Sequence, residues 1–285
     1  MAVMQDAYSH CEKLVREADK DRFLATLFAP AERRPYLFAL YAFNIEISRV
    51  REAARQALPG EMRLQWWRDV LSERGYGDVK SSPVATALLD TLACFHLSSA
   101  PLIELLEGRK FDLYDDPMST RVDLETYATQ TAASLIECAV NILLGRPSDE
   151  AAVPVRHAGI AYAIAGLLRA FPIHAARGQI YVPIEILDRH GVARESIFAG
   201  QTTPELHSAL ADMRAMAHDH IAALRKSIGD IPQAAAPAFI PVALVAPLLA
   251  RMERRRYNPF RPIELPQWRR QWAFWRATWG GILAV

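Results

Sequence analysis

The stretch DRFLATLFAPAERRPYLFALYAFNIEISRVRE, residues 21–52, decides how the rest of the chain is read. It opens on an aromatic residue, Phe23, turns at Pro30, and then sets the basic pair Arg33-Arg34 ahead of the apolar run LYAF. Pro30 precedes a long helix expected over residues 31–56, with Pro59-Gly60 as its stop. Upstream, Tyr8, Cys11, Leu14, Val15 and Ala18 recur at three- and four-residue steps and predict a helix over 5–18. Downstream, helices are expected over 61–75, 83–95 and 101–114. Asp123 reads as the N-cap of a helix that runs to Leu144 and is closed by Gly145. A further helix over 150–171 is expected to end at Pro172, followed by an irregular stretch over 172–203. Two long helices follow over 203–228 and 237–256, the second kinked or late-starting because of Pro241 and Pro247. Strand signals are scarce and repeats absent, so residues 1–285 are read as one all-α domain with a Trp/Arg-rich amphipathic helix over 264–285.

Composition agrees with a large core, since 51% of the 285 residues are hydrophobic. The net charge of +1 excludes a general nucleic-acid binder, which needs a basic excess. Cys11, Cys94 and Cys138 fit neither disulfide nor zinc spacing and point to a reducing, cytoplasmic compartment. The first 21 residues carry acids and no apolar stretch, so a signal peptide is not expected. No run of about 20 uninterrupted apolar residues occurs, so no membrane span is expected.

Three further segments give the opening stretch its meaning: LQWWRDVL (64–71), GRKFDL (108–113) and LLRAFPIHAARGQIYVP (167–183). In this order and spacing they resemble the squalene/phytoene synthase family over roughly residues 10–260. The resemblance implies an isoprenoid-synthase-like helical bundle with a central cavity. In such a bundle two DxxxD motifs on facing helices hold magnesium ions, and these bind two prenyl diphosphates. An i,i+4 spacing stacks both carboxylates of a motif on one helix face. Magnesium then neutralises the charge that develops on the leaving diphosphate.

This chain departs from that pattern. Where the resemblance implies the first motif stand Ser48 and Arg49, with only Glu52 acidic. At the second, both acids are replaced, by Ala170 and His174, and Gly166 and Ala163 occupy the usual amide positions. Two unit charges about 4 Å apart interact by roughly 4 kcal/mol at an effective dielectric near 20, so three lost carboxylates remove several such attractions. Arg49 adds a repulsion. Pro172 also disfavours a continuous helix at the second motif. The expectation is a catalytically retired relative without catalytic residues, metal or other cofactor, with magnesium required only if the enzyme reading holds.

The remaining candidates carry two readings each. Asp112 either faces the cavity as a central acid or ends a helix in solvent with Asp115 and Asp116. Glu52 reads as an ion-pair partner rather than a lone metal ligand. His174 reads as structural or exposed, since no partner histidine stands at ligand spacing. Arg169, Arg177 and Tyr181 match family positions and read as structural. His218 and His220 do not face each other on a helix.

AFNIEISRVRE and the continuation VPIEILDRHGV (182–192) resemble the branch of the family that contains the mitochondrial complex I assembly factor 6, whose members also lack the aspartate motifs. That branch implies a role in assembling respiratory complex I, with its subunits or assembly intermediates as partners. The alternatives are a head-to-head prenyltransferase binding diphosphate through Arg49, Arg51, Arg169 or Arg177, and an isoprenoid or lipid carrier.

At the other end, Trp268, Trp272, Trp275 and Trp279 fall on one helical face, with Arg269, Arg270 and Arg276 mostly off it. Three readings stay open: the bilayer interface on the cytoplasmic side of the inner membrane, a partner protein, or a seam in the protein's own core. Arg251, Arg254, Arg255 and Arg256 either meet anionic lipid or end a helix in solvent.

Overall fold

The computed structural model describes residues 2–53, 57–72 and 81–279. Every regular element among them is helical, as the sequence implies. The first quarter forms α1 (Ala2–Ala18), α2 (Lys20–Thr26), α3 (Arg34–Ser48), α4 (Val50–Ala53) and α5 (Ala57–Leu71). Then come α6 (Pro83–Cys94), α7 (Ala100–Lys110), α8 (Arg121–Ala128), a π turn (Thr129–Ala133) and α9 (Ser134–Leu144). The last part holds α10 (Ala152–Ala176), α11 (Ile184–Arg189), α12 (Arg194–Phe198), α13 (Pro204–Ser227), α14 (Val245–Met252) and α15 (Gln267–Trp279).

The decisive stretch becomes the centre of the bundle. Residues 37–45 of α3 are buried without interruption, so the helix is apolar on all sides and packs between α1, α6 and α9. The longest helix, α10, lies along α13 and against the π turn. Gly159 permits that contact, because a Cβ there would fall 2.4 Å from the Ala133 Cα. Among the described residues, two helical stretches are long and apolar enough to cross a membrane, Asp149–Ala176 and Gln233–Met252; both belong to this bundle and are more than half buried in it. Neither is an unbroken apolar run, since Arg156, Arg169 and His174 interrupt the first and Arg251 the second.

Several local expectations change. The helix expected over 31–56 starts at Arg34, with Pro35 in its first turn, and breaks at Arg49; residues 54–56 lie outside the described part. Pro59-Gly60 does not stop a helix but lies near the start of α5. Proline is tolerated in a first turn, and Gly60 leaves room for Leu113, whose Cδ2 would stand 2.6 Å from an added Cβ. The N-cap of α8 is Thr120, not Asp123. Asp123 closes a capping box, accepting from Thr120 N at 2.9 Å while its own N–H donates to Thr120 Oγ1 at 3.2 Å. Gly145, at φ 71°, caps α9 as expected. The second proline-rich helix does start late: a 3-10 stretch holds Pro237 and Pro241, and α14 begins at Val245.

Pro172 does not end its helix. α10 runs through it to Ala176 and closes at Gly178, φ 74°, where Gln179 N donates back to His174 O at 2.9 Å and Gly178 N to Ala175 O at 3.1 Å. Burial of Phe171 and Ala175 on the core side holds the turn together despite the missing N–H.

Helix α15 packs by the face that the tryptophan pattern leaves out. Phe274 and Ala277 are buried, while Trp268, Trp272 and Trp275 are 63%, 55% and 44% exposed. The core-seam reading is therefore corrected for these three. The side chain of Trp279, and residues 280–285, lie outside the described part.

Candidate functional site

The end of α3 and the middle of α10 face a cavity of about 440 Å³. Ser48, Arg49 and Glu52 line it from one side, and Gly166, Arg169 and Ala170 from the other. The structure brings these six residues together around one cavity. The π turn supplies Thr131 and Ala132. The break between α1 and α2 supplies Asp19, and the first turn of α2 supplies Arg22.

The chemistry of the wall is dominated by guanidinium groups. Arg22, Arg49, Arg109 and Arg169 line it, against two acids among the described residues, Asp19 and Glu52. Asp19 caps α2, accepting from Arg22 N at 3.0 Å, and pairs with the Arg22 guanidinium at 2.6 Å. Burial alone would push its carboxyl up, but Arg22 and that backbone N–H outweigh it and hold Asp19 below the usual carboxylate range. Arg22 also lies over the rings of Tyr41 and Tyr162, at 5.6 and 5.2 Å from their centroids. Glu52 is held by Arg177 at 3.0 Å, an ion-pair partner as expected. The Ser48 hydroxyl turns back on its own helix and donates to Ile45 O at 3.0 Å.

Asp112, His174, Arg177 and Tyr181 do not line the cavity. They form a layer beside it. Asp112 is neither a cavity acid nor a solvated helix end: its side chain is 13% exposed and enclosed by donors. Tyr127 and Tyr181 donate to its Oδ1 at 2.9 and 2.7 Å, and Arg109 to its Oδ2 at 2.9 Å. Burial, reinforced by this carboxylate, pushes both phenols well above their ordinary range, so they remain donors. The His174 ring packs on Tyr181, 4.5 Å between centroids. Burial, aided by Arg177 and Arg109 and opposed by Asp112, pushes it down to about 4, so it is neutral at pH 7. Asp115, exposed, pairs with Arg51 at 2.7 Å.

Sequence reading missed Asp19, Arg22, Arg109 and Tyr162. The i,i+3 pair Asp19–Arg22 at a helix boundary was the available signal; Arg109 and Tyr162 reach the site only through long-range packing. His218 and His220 diverge as expected: His218 pairs with Glu253 at 2.7 Å, and His220 meets His157, Nδ1 to Nδ1, at 2.9 Å. Among the described residues, no group of three or more His, Cys, Asp or Glu side chains is placed to hold a metal ion.

Comparison with known proteins extends the geometry. The chain is 28% identical over 257 residues to complex I assembly factor 6 of Rattus norvegicus, covering 90% of this chain and 77% of the relative. The Homo sapiens protein of the same name is 29% identical over 253 residues, covering 89% and 76%. A 15-cis-phytoene synthase of Synechococcus elongatus is 24% identical over 284 residues, covering 95% and 92%. Among solved structures, a dehydrosqualene synthase crystallised with a ligand superposes with a TM-score of 0.83 at 20% identity, covering 97% of each chain, which establishes the isoprenoid-synthase-like all-α fold. The family model for squalene/phytoene synthase matches residues 15–276, nearly the whole length, and so this chain belongs to the squalene/phytoene synthase family.

Proposed function

We propose that this chain is a catalytically degenerate member of its family that takes part, from the cytoplasm, in assembling respiratory complex I, the NADH:quinone oxidoreductase, with complex I subunits or assembly intermediates as partners. The observation that carries this reading is the charge of the cavity wall. Ser48 and Ala170 stand where the resemblance implies carboxylates, and four arginines surround them. Magnesium takes a near-octahedral set of hard oxygen ligands. The two acids present are each engaged by an arginine, Asp19 by Arg22 and Glu52 by Arg177. This donor set does not fit a magnesium cluster. The relatives named for complex I assembly, similar along nearly the whole chain, support the assembly role. The same wall suits an anionic isoprenoid or lipid, whose head group arginine matches in geometry.

The test is deletion of the gene in its own host, followed by measurement of assembled complex I on native gels and of NADH:quinone activity. Loss of the assembled complex is expected, restored by the gene in trans; normal complex I in the deletion strain overturns the proposal.

A second reading, head-to-head prenyl transfer, is favoured by one observation, the arginine-lined cavity, which would also accept a diphosphate. Squalene or phytoene formed by the purified protein from farnesyl or geranylgeranyl diphosphate with magnesium would establish it; no product is expected.

A further inference from the structure

Helix α15 is held to the bundle by one face and uncovered on the other. Phe274 and Ala277 are buried, and Arg270 ties the helix down by donating to Asp21 Oδ1 and to Leu265 O, both at 3.0 Å. The outer face carries Trp268, Trp272 and Trp275, with the last two rings stacked at 5.1 Å. Three exposed tryptophans on one helix form a patch of the kind that marks an interaction surface. An apolar groove of about 430 Å³ runs beside Trp268 and Trp272, which wall it, and is floored by Ala246, Pro247, Ala250 and Ala273.

The charge around this groove is mostly basic, with Glu253 as the acid beside it. Helix α15, QWRRQWAFWRATW, contains no acid, and Arg269 and Arg276 line the groove's rim. His218 lines the groove as well, and its partner Glu253 opens the turn that follows α14. The next three residues of that turn, Arg254, Arg255 and Arg256, are exposed.

We propose that α15 and its groove dock the protein on an anionic phospholipid bilayer, with the tryptophans at head-group depth and an acyl chain in the groove. Tryptophan has an apolar body and a polar N–H and settles at the boundary between acyl chains and head groups. Arginine at the rim meets lipid phosphate. The groove is lined mainly by alanine and one proline and offers almost no polar atoms, which suits a flexible hydrocarbon chain. A protein partner would have to bring both an apolar ridge and a set of acids, whereas an anionic leaflet presents both at every point. The complex I proposal is independent of this one: vesicles contain no complex I, and a deletion phenotype does not report on lipid binding.

The experiment uses the full chain and vesicles of phosphatidylcholine alone or with phosphatidylglycerol. The wild type should float with the phosphatidylglycerol vesicles and be released by high salt. The triple variant Trp268→Ala/Trp272→Ala/Trp275→Ala, checked for an unchanged helical spectrum, should bind at least about tenfold more weakly. Phospholipid brominated along its acyl chains should quench the tryptophan fluorescence of the wild type, a readout that needs no variant. Failure of the wild type to float, a triple variant that floats equally well, or salt-insensitive binding to neutral vesicles each overturns the proposal. So does capture of the wild type by a purified complex I intermediate with no binding to lipid alone.

Discussion

Arg270 on α15 donates to Asp21 Oδ1 at 3.0 Å, across almost the whole length of the chain, while Arg169 on the cavity wall stands 3.7 Å from the other oxygen. One buried carboxylate thus joins the carboxy-terminal helix to the cavity. Asp21→Asn would leave both cations beside a neutral amide. A hydrogen bond to a charged group is worth about 1.5–3 kcal/mol, and partial exposure of both arginines lowers the figure here to roughly 1–2 kcal/mol. Urea denaturation should show that loss. Hydrogen exchange should show faster opening of α15 than of α3; equal protection of both helices would exclude the tether.

Acid should weaken the fold before any surface carboxylate matters. Burial holds His157 and His220 below their ordinary range, with mutual repulsion adding for His157. His174 is pushed down to about 4, chiefly by burial. A histidine whose folded value lies below its unfolded one favours the folded state fully above about pH 6.5. As pH falls, the unfolded chain takes up protons that the folded chain refuses, and the stabilisation is lost. The midpoint of urea unfolding should fall between about pH 7 and pH 4, and His174→Phe should flatten the part of that fall between 6.5 and 4. An unchanged slope in His174→Phe would show that the ring is not the responsible group.

Two glycines on α10 should behave oppositely. An added Cβ at Gly159 would overlap Ala133 of the π turn at 2.4 Å, whereas at Gly166 it meets nothing within 4 Å. Gly159→Ala should cost about 1–3 kcal/mol, because the π turn must move. Gly166→Ala, in a helix interior, should be neutral or stabilising by up to about 1 kcal/mol. Thermal unfolding of the two variants checks the pair; equal midpoints would show that α10 and the π turn can separate freely.

How much of this was legible depended on whether the signal was local. Pro30 and the apolar run after it pointed to α3, and the order of the motifs pointed to the six residues that meet across the cavity. The α8 cap was misplaced by three residues although both halves of the capping box, Thr120 and Asp123, were in view. Local rules failed at Pro172, where packing of Phe171 and Ala175 carries the helix onward. The tryptophan spacing correctly grouped residues on one face of α15, but periodicity cannot say which face is buried, and here it is the one carrying Phe274 and Ala277. Arg109 and Tyr162 join the site through contacts between helices distant in sequence, which no spacing rule encodes.

Restoring acids offers the sharpest test of the electrostatic argument. Ser48 and Ala170 line the cavity, so Ser48→Asp and Ala170→Asp place carboxylates on its wall. His174 does not line it: its ring packs on Tyr181, close enough to Asp112 for that carboxylate to act on it. A carboxylate introduced by His174→Asp would therefore be repelled by Asp112, and its pKa would rise. The new acids on the wall also face Arg49 and Arg169, which would pair with them in place of a divalent ion. The triple variant Ser48→Asp/Ala170→Asp/His174→Asp should therefore show no magnesium binding by calorimetry at millimolar metal. Adding Arg49→Asp removes one cation and supplies one more ligand, and magnesium binding should appear in this quadruple variant first. Tight binding by the triple variant alone would mean that the arginines do not govern the site, and the charge-based account of its retirement would fail.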